Sequence, residues 1–258
     1  MRFNDRYGHS SVLCRYARIP EGPVPVIIPH GIYCRPGVCG SEREVPDLPV
    51  LSYPEYRDAE YSSRGYQVIP CASPFIYALD LHPVSARGAG TLFFLAHSTP
   101  GIEVRFDIAA TFRLLEGMPG PVTVCLHPHD DTPATRSVFA AEGIGTVSAG
   151  AYRERDFLFR LIDMIGRHRY VASNVFGTHA IYALACGRPM VFVGDEPEAI
   201  VRKTGGHVPP SAIDVVSPVR ALCLDWREEV SPEQAEMARY YLRADAKMTP
   251  AALAGVLR

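Results

Sequence analysis

What most constrains this chain is an alternation, from residue 91 to about 205, of short apolar runs with segments whose apolar residues recur at helical spacing. The runs are TLFFLAH (91–97), PVTVCLH (121–127), TVSAG (146–150), YVAS (170–173) and PMVFVG (189–194). Between them, 105–116, 134–142, 153–166 and 178–186 carry helical patterning, and a further helix is expected from about Glu196. Gly143 and Gly187 close two of these helices, as helix-stopping glycines do. Strands alternating with helices at this spacing predict an α/β fold with a parallel sheet. The runs lack polar alternation, as strands covered by helices on both faces must. In such a sheet ligands lie beyond the carboxyl ends of the strands. The residues just after each run are therefore the candidates for chemistry.

The flanking segments are less regular. SVLCRYARI (11–19), PVIIPHG (25–31) and GYQVIPCAS (65–73) read as three strands of a short α/β amino-terminal half over 1–85. Residues 34–64, rich in Pro, Gly and charge, read as a long loop with one short helix. Residues 81–90 read as a linker to a Rossmann-like half over 90–230. Helices are expected over 231–258, because Ser231-Pro232 and Thr249-Pro250 each offer an N-cap followed by proline at the first helical position.

Composition removes several function classes. A chain of 258 residues, 47% of them hydrophobic, can bury a sizeable core. With 26 basic against 28 acidic residues it lacks the basic excess of a nucleic-acid binder. The first ten residues have no apolar signal core, and no run approaches the roughly 20 residues of a transmembrane segment. Seven cysteines, an odd number without paired short spacings, argue for reduced thiols and a cytoplasmic protein. No P-loop, no G-x-G-x-x-G after the first run and no G-x-S-x-G elbow is present.

Four run ends carry polar groups: His97-Ser98-Thr99, then His127-Pro128-His129-Asp130-Asp131, then Ser148-Ala149-Gly150, then Ser173-Asn174 with Gly177-Thr178-His179 opening a helix. A helix amino end offers unpaired N–H groups to phosphate. Gly177 permits close approach, and Ser173 and Thr178 add hydroxyls. Plain capping by Asn174 or Thr178 is the alternative. His127 could donate to a phosphate or protonate a leaving oxygen, or it could satisfy a nearby carbonyl. His127, His129 and Asp131 could instead hold a metal for a hydrolase. Asp130 and Asp131 are more simply the cap and first turn of the helix near 134, with Pro133 inside that turn. Glu196 and Glu198 could bind a ribose or sugar hydroxyl, or simply occupy the first turn of a helix.

C-L-H-P (125–128) at one run end and S-N-x-x-G-T-H-x-x-Y-A-L-x-x-G-R-P (173–189) after a later one are together similar to the donor-binding half of GT-B glycosyltransferases. They are nearest the branch with an HP motif followed by a serine motif: bacterial sialyltransferases, Kdo transferases and teichoic-acid polyol-phosphate transferases. The resemblance covers about 90–200, with Ser-Asn here where many relatives have a serine pair. It implies a GT-B-like enzyme moving a sugar from a nucleotide-activated donor, cytidine nucleotides being usual in that branch, to an acceptor hydroxyl. It further implies inverting chemistry without metal or other cofactor, the nucleotide sugar being the substrate. His127 would hold the donor phosphate and stabilise or protonate the leaving nucleotide. Ser173, Asn174 and Thr178 would bind phosphate, and His97 would contact donor phosphate or acceptor. The base would come from the amino-terminal half, where His30 in I-I-P-H-G is preferred over His9 in Y-G-H-S and over Asp5. Two other readings stay open: a sugar-nucleotide epimerase, and a non-catalytic nucleotide-binding subunit docked on a partner transferase. A homo-oligomer is compatible with all three.

Overall fold

The computed structural model of the protein describes residues 6–32, 47–53, 55–85, 88–99, 101–105, 107–194, 197–206 and 216–258. Asp5, Cys34, Cys39 and Glu196 lie outside them. The chain divides into two units, one of residues 1–84, 151–162 and 235–258, the other of 85–150 and 163–234. Among the described residues no helix is long and apolar enough to cross a membrane. Their five cysteines are all free and buried.

In the first unit, α1 (His9–Ala17) is followed by β1 (Val50–Ser52), α2 (Asp58–Ser63), β2 (Val68–Pro70) and α3 (Pro74–Leu81). β1 and β2 pair in parallel, and Ile27 bridges in parallel to Val50 on the other side. Ile27, Val50, Tyr61 and Tyr66 form a small core there. Residues 11–19, expected as a strand, are mostly helix. The exposed Arg15 and Arg18 are three apart, and Val12, Leu13, Cys14 and Ala17 are buried, which is helical rather than alternating spacing. Of 25–31 only the bridge at Ile27 is extended. Of the expected long loop, 34–46 and 54 lie outside the described residues; the rest holds the expected short helix, α2, and a strand that was not expected, β1.

In the second unit, the strands are β3 (Thr91–Phe94), β4 (Ile102–Arg105), β5 (Val122–Cys125), β6 (Gly145–Val147), β7 (Tyr170–Ser173), β8 (Met190–Phe192) and β9 (Glu198–Val201). Five of them form one all-parallel sheet in the order β6-β5-β3-β7-β8. The helices α4 (Ile108–Glu116), α5 (Pro133–Ala141), α6 (Phe157–Gly166) and α7 (Thr178–Ala185) alternate with its strands along the chain. The fold is thus α/β and Rossmann-like. β3, β7 and β8 are buried along their whole length, whereas the edge strand β6 is partly exposed. Strand alternation sends Phe93, Val124, Ala172 and Val191 to one face, where they pack with Leu115, Met118 and Phe139. Phe94 points to the opposite face, against α7. Later along the chain come α8 (Val216–Leu222) in this unit, then α9 (Pro232–Tyr241) and α10 (Pro250–Leu257), which fall mostly and wholly in the first unit, α10 being capped by the Thr249 hydroxyl as expected.

Two expectations fail in the second unit for one reason. Residues 102–105, beside the predicted helix start, form β4, and 198–201, expected as helix, form β9. The two pair antiparallel, Ile102 opposite Val201 and Arg105 opposite Glu198. Ile200 and Val201 favour a strand once a partner exists, but that partner lies nearly 100 residues away and leaves no local signature. Helix α4 starts only at Ile108, where the Asp107 carboxylate accepts from the N–H groups of Ala109 and Ala110.

The start of the sheet depends on Gly90. Its carbonyl accepts from the N–H groups of Arg169 and Tyr170, and Thr91 N–H donates to Pro121 O at 2.9 Å. Its φ is +71°, and a Cβ there would lie 2.0 Å from Pro121 O. Gly187 shares the left-handed conformation (φ +69°) but faces open space. Chemical denaturation should therefore show Gly90→Ala losing about 2–3 kcal/mol or more, and Gly187→Ala only about 1 kcal/mol. Equal losses would mean that the close approach at Gly90 is not what the sheet start depends on.

Candidate functional site

The strand order creates the site. From β3 the chain builds outward through β5 to β6, then returns to the other side of β3 and continues through β7 to β8. At this reversal the connections after β3 and β7 run to opposite sides of the sheet, which makes their shared carboxyl edge the switch point where open α/β sheets bind ligands. His97-Ser98-Thr99 leave β3, His127 to Asp131 leave β5, and Ser173-Asn174 leave β7 ahead of α7.

Side-chain-to-main-chain bonds tie the three loops together. Asn174 Oδ1 accepts from Ala96 N at 3.0 Å, joining the β7 loop to the β3 loop. The Asp130 carboxylate accepts from Ser98 N at 3.0 Å, joining the β5 loop to the same segment. Ser98 Oγ accepts from Val104 N and Thr99 Oγ1 from Ile102 N, which sets the turn into β4. Ser173 is fully buried; its hydroxyl donates to Phe94 O at 2.8 Å, with Val175 O at 2.9 Å as a second acceptor. Ser173 and Asn174 thus hold the strand ends in place. The expected aspartate caps are replaced by Thr132, whose hydroxyl accepts from Thr135 N at the start of α5. Asp131 instead forms a two-pronged pair with Arg136, at 2.5 and 2.8 Å.

Within this frame the imidazoles stack. The His97 and His127 ring centroids are 3.9 Å apart with 12° between planes, and His129 follows His127 at 5.1 Å. His179, at the second position of α7, stacks on Phe94 at 4.6 Å. His127 Nδ1 accepts from His129 N at 3.3 Å, which leaves the neutral ring's proton on Nε2 as a donor. Burial, reinforced by His97 and His129, pushes the His127 pKa down to about 3. Burial and His97 push His179 to about 3. His97 is exposed to solvent, yet the protein around it desolvates the ring enough to lower its pKa too, against the opposing pull of Asp130. All three are neutral donors and acceptors near pH 7.

Helix α7 supplies the complementary feature. Its N-cap is Gly177, and no side chain caps it; neither Asn174 nor Thr178 takes the capping role that was the alternative to phosphate binding. His179 was not singled out from sequence. Its signal, a histidine two positions past a glycine cap, acquires meaning only when β7 is known to neighbour β3 and so to bring Phe94 beneath it. Among the described residues no three His, Cys, Asp or Glu side chains are placed to hold a metal ion.

The remaining candidates lie in the first unit. His9 opens α1 and is 1% exposed. His30 is near it, with Tyr7 between, its ring 6.0 Å from His9 and 6.1 Å from His30. Tyr7 holds a left-handed φ of 56°. Burial, then His30, lowers the His9 pKa to about 3, against a Pro29 carbonyl hydrogen bond. Burial and Arg6 lower His30 to about 4. Glu198 stands on β9, not in the first turn of a helix.

Compared with known proteins, the chain matches no protein-family profile and no curated protein.

Two outcomes follow. The unfolded chain's imidazoles titrate near 6.5, whereas the folded His127 and His179 titrate near 3. Between those values the unfolded state binds more protons. Their contribution to stability is therefore full above about pH 6.5 and is lost as the pH falls toward 3. Melting temperatures from pH 8 to 4 should decline on the acid side, less steeply in His179→Phe; an unchanged slope in that variant counts against the depressed His179 pKa. Asn174→Ala should cost about 1–3 kcal/mol by orphaning the buried Ala96 N–H, with Asn174→Asp, which keeps the acceptor, losing less.

Proposed function

We propose that the second unit binds the phosphate of a nucleotide-activated sugar and that the protein is a glycosyltransferase of GT-B-like type. One observation carries this reading: at the sheet's reversal point the loop bearing a histidine with its proton held on Nε2 is hydrogen-bonded to the β3 loop, which is bonded in turn to the β7 loop that leads into the uncapped amino end of α7. Two kinds of phosphate donor, an imidazole N–H and helix N–H groups, then serve one crevice. The likeness of C-L-H-P and S-N-x-x-G-T-H to the HP and serine motifs supports the same assignment and makes a cytidine nucleotide the first donor to try.

In the transfer, the bond between the sugar's anomeric carbon and the phosphate oxygen breaks, and a bond from that carbon to the acceptor oxygen forms. The acceptor's proton passes to a base, and the nucleotide leaves with the bonding electrons as phosphate. His127 Nε2–H donates to the departing oxygen as negative charge grows there, and the amino end of α7 stabilises the same charge. A neutral imidazole suits this role, because it is already a donor at neutral pH without the cost of burying a cation. For the base, the resemblance prefers His30 over His9; burial keeps both rings neutral, with pKa values of about 4 and 3 that make them weak bases in the unliganded protein.

The test is a melting screen with CMP, CDP, UDP and GDP, followed by nucleotide release from the matching sugar nucleotides. A nucleotide at about 100 times its dissociation constant should stabilise the protein by about 2.7 kcal/mol, and His127→Ala should lose most of that shift. Stabilisation without release of nucleotide, over a range of hydroxyl acceptors, would favour a binding subunit. No stabilisation of the folded protein by any nucleotide would remove the reading.

A further inference from the structure

Of the described arginines of the first unit that are not fully exposed, Arg57 pairs with Glu60, Arg160 with Glu154 and Arg243 with Asp58. Arg6 is the other, and among the described residues no carboxylate pairs with it. A half-buried cation without a counter-ion is costly. Its charge falls on two neighbours: it helps burial to hold the His30 pKa down at about 4, and it works against burial at the Tyr7 hydroxyl. Tyr7 itself is held in a conformation that tyrosine rarely takes, with φ 56°. Its N–H donates to Tyr152 O, and its ring packs on Phe157 at 4.8 Å and lies 6.1 Å from the His30 ring. Gly8 follows at φ +68°, where a Cβ would lie 2.1 Å from Arg155 O. The Tyr7 hydroxyl, so firmly placed, has no hydrogen-bond partner among the described residues. An uncompensated guanidinium and an unused hydroxyl donor beside one imidazole are what an anion would satisfy.

We propose that Arg6 and Tyr7 form an anion-binding subsite beside His30, which takes a phosphate or carboxylate group through a charge-assisted pair with the guanidinium and a hydrogen bond from the tyrosine hydroxyl. That this anion belongs to the hydroxyl acceptor rests on the function proposed above, but the anion site itself does not. The charged and titratable groups facing His30 are Arg6 and Tyr7, just ahead of α1, and His9 in its first turn. Of these Arg6 alone carries charge near pH 7. An anion on Arg6 therefore removes the electrostatic part of what depresses His30 and lifts the imidazole toward the range of an effective base. The acceptor that fits carries an acidic group close to its reactive hydroxyl, and it helps to activate the base that deprotonates it.

Proton NMR of the imidazoles of the full chain tests this, with the His30 signal assigned by its loss in His30→Gln. Inorganic phosphate or acetate replaces chloride at constant ionic strength, and the His30 signal is followed from pH 7 to 4. In wild type the His30 pKa is expected to rise by about 1 at saturating anion. Arg6→Gln should raise that pKa without any anion and bind the anion about tenfold more weakly or worse, whereas Arg6→Lys, which keeps the charge, should retain the response. A merely structural Arg6 gives no such anion dependence. Should Arg6→Gln not fold, Tyr7→Phe carries the test, with anion affinity expected to fall about threefold or more. A response to phosphate alone assigns a phosphate-bearing ligand, one to acetate alone a carboxylate-bearing one, and one to both a subsite open to either. A His30 pKa that neither anion moves in wild type, or that moves equally in Arg6→Gln, overturns the proposal. If His30 responds and no nucleotide stabilises the protein, the anion site stands and the transferase reading falls. If nucleotides stabilise the protein and His30 ignores both anions, the donor site stands and the anion site falls. If neither occurs, both fall.

Discussion

Strand β3 has to be hydrogen-bonded along both edges, and it is the first strand of its sheet to be laid down. Parallel pairing forces the chain to build away from one edge through β5 and β6 and to come back for the other with β7 and β8. That reversal sets everything else in the second unit. It brings Ser173 under Phe94 O, places Asn174 where it can hold Ala96, and puts the α7 amino end beside the β3 loop. The stacking of His97 on His127 is a consequence of this topology, not of sequence neighbourhood, since the two are thirty residues apart.

The parallel sheet was legible because its signal is local. Five apolar runs bounded by Gly and Pro became five strands, and Gly187 ended a helix where expected. What escaped was set by distant partners or by a mistaken period. The β4–β9 ribbon needed two segments nearly 100 residues apart. Residues 11–19 have a composition that suits a strand, but the unbroken burial of Ser11 to Cys14, with Ala17 buried again after Arg15 and Tyr16, is not the alternation of a strand. Thr132 took the cap expected of Asp130 and Asp131 because Asp130 was drawn back to Ser98 N, a bond invisible until the loops are brought together.

The site was legible as a set of loops and not as a set of roles. Topology gathers His97, Ser98, Thr99, His127, Asn174, Gly177 and Thr178 at one sheet edge. Hydrogen-bonding capacity then divides them. Ser173, expected as a ligand hydroxyl, has its one proton engaged by main-chain carbonyls, while Ser98 and Thr99 accept from the turn they introduce. Donor capacity toward a ligand remains with the imidazoles, the helix N–H groups and the hydroxyl protons of Ser98 and Thr99, which accept from the turn without giving up their own proton. Sequence can name such residues, but which of them are occupied in holding the scaffold is decided by where backbone groups end up.

The first unit is assembled from three separate stretches, 1–84, 151–162 and 235–258, with the second unit's residues between them. Its helix α1 is in contact with α10, and Ser73 N–H donates to Leu242 O. During synthesis from the amino terminus, the early segment must therefore wait while some 150 further residues are added before its closing helices exist. The Rossmann-like sheet has no such delay, as all five of its strands have been made by residue 192. The order of translation thus favours a finished parallel sheet while the other unit is still incomplete, its apolar surfaces exposed to chaperones or to misassembly until residues 235–258 arrive.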